Sequence, residues 1–171
     1  MQEKIPPQDI EAEQCVLGSL MISKEAIAIS VGKVRPEHFY RRNHGLIYQA
    51  IVELYKNNEP VDLVTVSHQL KKNKHLEEAG GRSYLATIID IVPTAANIDN
   101  YSDILIEKAM LRRLIDSGSE LVAQGFEAGT EVESVLEFAQ KSILDISKEQ
   151  IQDDFFKLDE VLNTVFDNIQ N

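Results

Sequence analysis

Apolar positions in this chain recur mostly at intervals of three and four, the period of one helical face, and seldom alternate as a half-buried strand would. Behind the stiff Pro6-Pro7 lead-in, Ile10, Gln14, Leu17 and Met21, with Leu20 beside them, mark a first helix. Gly18 costs that helix a little stability and permits a close neighbour. Ala26, Ile27 and Ile29 give a short second helix over Lys24 to Gly32, broken at Arg35-Pro36. Leu46, Ile47, Ala50, Ile51, Leu54 and Tyr55 stripe a third from Asn43 to Lys56, ended by Asn57-Asn58-Glu59-Pro60. Val61 to Val66 is β-branched enough to suggest a strand. Leu63, Val66 and Leu70 nevertheless fit a helix, and no partner strand is near, so Leu63 to Lys72 is predicted helical with Asp62 as its cap. Gly80-Gly81 punctuates a turn, and Ser83 to Ile91 forms one more helix, stopped at Pro93.

Beyond Pro93 the elements lengthen. Asn97 to Glu127 and Glu131 to Glu149 read as two long amphipathic helices whose junction is short enough only for a tight hairpin. Asn97 is the expected N-cap of the first, and Asp99 sits in its opening turn against the positive end of the helix dipole. One seam follows Ile104, Leu111, Ile115, Gly118, Val122 and Gly125 at heptad-like spacing, where the glycines would permit close helix approach. Val132, Val135, Leu136, Ala139, Ile143 and Ile146 stripe the second helix, which starts at a Thr130 to Glu133 capping box behind Gly129. Leu114 and Leu121 widen the first seam, while Leu105, Ile106 and Phe126 fall partly off it. The apolar arc therefore exceeds what one antiparallel neighbour covers, and either the preceding globular part or a partner must take the rest. A polar run from Gln150 to Asp154 precedes a last amphipathic helix carrying Leu158, Val161, Leu162, Val165, Phe166 and Ile169. About a dozen residues make a marginal helix in water, so this one must dock on something. The expected organisation is a head over 1–96, a hairpin over 97–149, and a linker with its helix over 150–171.

Composition narrows the class. The 171 residues are 43% apolar and 6% aromatic, enough for one core with a satellite element, and eight glycines with five prolines leave few turns, so an all-α fold is expected. A net charge of −11, from 28 acidic and 17 basic residues, weighs against unaided binding to a phosphate backbone. The lone Cys15 fits a small buried hydrophobe in a reducing compartment. With no signal-like apolar run and no stretch of membrane-spanning length, a soluble cytoplasmic protein is expected.

No catalytic, cofactor or metal set emerges. Gly80-Gly81-Arg82-Ser83 imitates only the end of a phosphate loop, with arginine in place of lysine and Leu76 where the first glycine belongs, and reads better as a glycine pair ending a helix. His38, His44, His68 and His75 fit no metal-ligand spacing and suit solvated or capping roles. Glu11 and Glu13 share a first turn where carboxylates favour the dipole; an acid/base pair there lacks a nucleophile. Arg41-Arg42 with Lys71, Lys72 and Lys74, and separately Lys108, Arg112 and Arg113, form basic clusters. Glu107 and Asp116 lie within helical reach of the second, which makes a salt-bridged solvated face its ordinary role, with single-stranded DNA contact secondary.

Three segments identify the chain further. Pro6-Pro7-Gln8-Asp9-Ile10-Glu11-Ala12-Glu13-Gln14-Cys15-Val16-Leu17-Gly18, Pro60-Val61-Asp62-Leu63-Val64-Thr65-Val66, and Pro93-Thr94-Ala95-Ala96-Asn97-Ile98 with Tyr101 resemble the N-terminal domain of bacterial replicative DNA helicases of the DnaB type. Phe39-Tyr40 with His44 and Ile47, and Gly80-Gly81 with Tyr84-Leu85, fit the same family in order. The resemblance implies a helical head and hairpin, with hairpins of neighbouring subunits pairing into a collar over six ATPase domains. It implies recruitment of the primase C-terminal domain, contact with a helicase loader, and docking of a linker helix on the adjacent subunit's ATPase domain. On that resemblance Ile104, Leu111, Ile115 and Val122 hold the hairpin together. Leu114, Leu121, Phe126, Val135 and Phe138 contribute to the collar and primase surfaces, and Leu158, Val161, Leu162, Val165, Phe166 and Ile169 belong to the linker helix. The RecA-like motor is expected to lie outside these residues, so that ATP, Mg and single-stranded DNA are handled by the parent protein. Two rival readings are a free-standing adaptor built from the same domain and a weak single-stranded-DNA-binding module.

Overall fold

The computed structural model describes residues 5–127 and 129–148. They form α1 (Ile10–Ile22), α2 (Lys24–Val31), a 3-10 turn (Pro36–His38), α3 (Arg42–Lys56), α4 (Leu63–Lys72), α5 (Gly81–Ile91), α6 (Ile98–Phe126) and α7 (132–148), with no strand among the described residues. The expected linker and its helix, Leu158 to Ile169, lie outside the described residues. The described residues fall into two compact units, divided between Ala109 and Met110. This division differs from a boundary after residue 96, because Ile98 and Leu105 of α6 belong to the head's core and Ala109 is buried as well. An uninterrupted helical period carries no mark of the turn at which a helix leaves one packing unit.

In the head, α1 packs against α2, α3 and α5, and α4 packs against α3 and α5. Asp9 caps α1, its carboxylate accepting from the Ala12 amide at 2.9 Å. The sequence predicts a one-faced α1, but the helix is buried on nearly every side, with Ala12, Cys15, Val16, Leu17, Gly18, Ser19, Leu20 and Met21 all inside. Its small residues allow this. A Cβ on Gly18 would meet Val92 Cγ2 at 2.6 Å and the Ile88 carbonyl oxygen at 2.7 Å, so α5 and the residue following it press directly on the α1 backbone. Tyr48 of α3 is the largest fully buried side chain, and its hydroxyl donates to the Val34 carbonyl at 2.8 Å.

Local signals decide the remaining helices. Asp62 accepts from the Val64 and Thr65 amides at 2.8 and 2.9 Å, and the Asp62 amide donates in turn to Thr65 Oγ1, closing a capping box that commits a β-branched run to α4. The glycine pair opens α5 two residues earlier than expected and does not end a helix: Gly80 caps it at φ 99°, with the Tyr84 ring laid across it at 2.9 Å from where a Cβ would sit. Lys33 donates to Asp99 and to Asp103, the latter at 2.9 Å, tying the residues after α2 to the opening turns of α6. Burial pulls the Lys33 ammonium down, and its bonds to Asp103 and Asp99 outweigh that, leaving it raised.

Candidate protein-docking surface

Two arrangements among the described residues are candidates for function, one polar and buried, the other apolar and open. In the first, Glu13 of α1 and His44 of α3 are fully buried, with Glu13 Oε2 2.6 Å from His44 Nδ1. His44 Nε2 lies 2.6 Å from the Tyr84 hydroxyl of α5, which also accepts from Gln14 Nε2 at 3.2 Å. With a proton on Nδ1 donated to Glu13, Nε2 accepts from Tyr84, and every polar atom along the line is matched. Glu13 further accepts from the Tyr40 and Arg41 amides at 2.5 and 3.3 Å. Arg41, the N-cap of α3, makes no side-chain cap of its own, so α1 supplies what the local sequence lacks.

The order carboxylate, imidazole, hydroxyl is that of a catalytic relay. Here the Tyr84 hydroxyl at its end is occupied by Gln14, and none of the three residues lines either of two grooves on the head, of about 290 and 520 Å³. The line therefore bolts α1, α3 and α5 together. It also corrects two expectations: His44 is neither solvated nor a cap, and Glu13 turns inward to another helix. His38 does take a capping part, accepting from the Arg35 amide at 3.2 Å. Burial and then Glu11 push the Cys15 thiol up, in keeping with an inert buried sulfur. Among the described residues no three His, Cys, Asp or Glu side chains are placed to hold a metal ion.

The second arrangement lies in residues 110–148. Leu111, Ile115 and Val122, expected to close the hairpin seam, are 39, 51 and 60% exposed, and Ile104 is half-buried within the head unit. Among the described residues the seam is thus not sealed within one chain. Among the described residues Gly118 and Gly125 do not serve a close helix approach either, since a Cβ on each would meet nothing there within 4 Å. Leu114 is exposed, Phe126 is 88% exposed, and Leu121, Val135 and Phe138 are half-buried. On α7 the stripe splits. Ile146 is buried and Ala139 half-buried, while Val132, Leu136 and Ile143 stand in water together with Leu144, which the periodicity had not singled out. Most of the large apolar side chains that the described residues expose belong to this unit. Its turn is held by the Thr130 hydroxyl, which donates to the Glu127 carbonyl at 3.0 Å, and by Gly129 at φ 87°. No helix among the described residues is long and apolar enough to cross a membrane.

Fold and surface together define an all-helical domain that carries an open apolar hairpin. The family described as the DnaB-like helicase N-terminal domain matches residues 5–107, and the chain belongs to it. The replicative DNA helicase DnaC of Bacillus subtilis is 41% identical over 170 residues, an alignment spanning 99% of this chain and 37% of that protein. The crystal structure of the N-terminal domain of DnaB helicase from Mycobacterium tuberculosis superposes with a TM-score of 0.78 at 45% identity, covering 82% of this chain and 99% of that one. A DnaB-like replicative helicase described with its interactions with primase shares the fold at 21% identity, with a TM-score of 0.66 over 82% of this chain and 31% of that one.

Proposed function

We propose that this chain is the N-terminal assembly and primase-recruitment part of a hexameric, ATP-dependent replicative DNA helicase. It acts by protein contacts, and ATP, Mg and single-stranded DNA fall to a motor elsewhere in the parent protein. The observation that carries this reading is the open apolar face of residues 110–148, of a kind that monomers seldom leave in water. On this reading Leu111, Ile115 and Val122 pack between copies, and Leu114, Leu121, Phe126, Val135 and Phe138 contribute to the collar and primase surfaces. Leu158, Val161, Leu162, Val165, Phe166 and Ile169 dock on the adjacent subunit's ATPase domain. The partners are further copies of the chain, as dimers assembling to a six-membered ring, the primase C-terminal domain, and a helicase loader. Family membership supports this, as does the primase contact described for a helicase of the same fold.

The test is a calorimetric titration with the helicase-binding domain of the cognate primase, at an oligomeric mass fixed by sedimentation. Saturable heat establishes recruitment. A folded hexamer without heat reduces the domain to an assembly ring, and a folded monomer without heat places the primase site between subunits.

A further inference from the structure

Charge is unevenly placed over the head. The chain carries a net charge of −11, yet from Leu63 to Leu76 it has three lysines, two histidines and no aspartate or glutamate. The dipole of α4 accounts for Lys71 and Lys72 in its last turn, but the run continues past the helix to Lys74. All three lysines are exposed, and none has an ion-pair partner among the described residues.

The larger of the two grooves on the head, about 520 Å³, reaches this end of α4. Val31, Val34 and Val52 give it an apolar lining, and Arg35 and Lys56 bring cations to it. Its one acid, Glu53, is already engaged, since Oε2 accepts from Gln69 Nε2 and from Asn73 Nδ2, each at 2.8 Å. Those bonds set the groove beside the last turn of α4, where Lys72 and Lys74 flank Asn73 in the chain. Glu37, near enough to Tyr48 to act on its hydroxyl, does not line the groove. An acidic protein thus keeps, on one side of its head, an apolar recess bordered by cations.

We propose that this groove and the adjoining end of α4 are a docking site for a short acidic peptide segment of another protein. One large apolar side chain of the segment enters the groove, and its flanking carboxylates meet Arg35, Lys56, Lys72 and Lys74. The proposal concerns the head alone and is independent of the hairpin reading. Charge and shape decide among the occupants. A nucleic acid would want ring faces to stack on, and the aromatic ring lining the groove, Tyr48, is 1% exposed. A longer polyanion would also run off the patch onto an acidic surface, beginning at Asp62 on one side and Glu77 and Glu78 on the other. A flat lipid surface does not enter a concave recess. A segment of a few residues with one apolar anchor fits within these borders. Exposed ion pairs add little each, so the anchor supplies most of the affinity, and the lysines supply orientation and a faster encounter that salt weakens.

The probe is a synthetic peptide of about eight residues, roughly 27 Å when extended, with a central phenylalanine between aspartates and glutamates. It is titrated into the full chain at low and physiological salt, beside a control peptide with serine in place of phenylalanine. Expected are saturable binding that weakens with salt, amide shifts confined to residues 31–56 and 69–74, and about a tenfold weaker response to the serine peptide. The variant K56Q/K72Q/K74Q, its helix content checked by circular dichroism, should lose about tenfold in affinity. The variant K24Q/K141Q/K148Q, which removes the same charge elsewhere, should stay within about twofold. The serine peptide keeps the test decisive even if the first variant folds poorly. Absence of saturable binding, equal binding of the serine peptide, or equal loss in both lysine variants overturns the proposal, the last two because they mean undirected attraction between charges. Displacement of the peptide by a single-stranded oligonucleotide of about ten nucleotides, lost in K56Q/K72Q/K74Q, makes a nucleic acid the occupant and overturns it. A fall in the chain's own sedimentation mass in that variant makes a second copy the occupant and overturns it as well.

Discussion

Glu13 and His44 meet at 2.6 Å with neither side chain open to water, on helices that the sequence separates by two other elements. Removing either partner strands the other in the core. Glu13→Ala should destabilise the head by about 3 kcal/mol, since the buried imidazole and the Tyr40 and Arg41 amides lose their acceptor together. His44→Leu should cost a comparable amount, and the double variant distinctly less than their sum. Urea denaturation of the four proteins measures the coupling; additive losses would show that the two residues act independently.

Gly18→Ala places a methyl group 2.6 Å from Val92 Cγ2 and 2.7 Å from the Ile88 carbonyl. A loss of about 1–3 kcal/mol is expected. Adding Val92→Ala should restore only part of it, because the backbone carbonyl stays in place. Thermal unfolding of the single and double variants checks both statements.

Burial, opposed by the bond to Ser30 and aided by Glu37, pushes the Tyr48 hydroxyl from 10.0 to about 12. The folded state thus holds the phenolic proton more tightly than the unfolded chain. The associated stability, about 2–3 kcal/mol, is complete below pH 10 and disappears as pH rises towards 12. Tyr48→Phe should lose about 1 kcal/mol at neutral pH through its missing bond to Val34. Between those two pH values its stability should fall less steeply than that of the parent, and parallel curves would mean that Tyr48 does not titrate in that window.

Asp62→Ala should cost about 1 kcal/mol at neutral pH by removing the α4 cap. Backbone bonds from Thr65, then the Thr65 hydroxyl and the Val64 amide, hold the Asp62 carboxyl below its usual 3.8. The contribution is therefore present above that value and is lost as pH falls through the lower folded one. The difference in stability between parent and variant should close on acidification; a gap constant with pH would show that its charge is not involved.

Val122→Asp and Leu121→Asp, both in residues 110–148, should leave far-UV circular dichroism nearly unchanged while lowering oligomeric mass or primase binding. Loss of helix content instead would put these side chains in the monomer's core.

The helices of the head were largely legible because most rest on a local device: the Asp62 cap, the Pro60 and Pro93 stops, the 3.6-residue period of α3. Even the β-branched run before Val66 resolved correctly, since its cap outweighs β propensity. What remained hidden was non-local. The carboxylate of Glu13 looks like any first-turn acid until α3 and α5 are folded against it, and α1 looks one-faced because its small residues give no hydrophobic signal for the contacts they permit. The hairpin shows the opposite limit. Periodicity names the apolar positions Ile115 and Val122 yet does not say whether their cover comes from the same chain, and the described residues leave both exposed.

The head's core is closed by residues from both of its ends, Ala12 and Val16 at one side and Ile98 and Leu105 at the other. A ribosome needs on the order of 5–20 s to pass from the first of these to the last. During that interval the rest of the core exists without Ile98 and Leu105, so the head is finished only when the start of α6 arrives, and the nascent chain is most exposed to aggregation or chaperone capture just before it does.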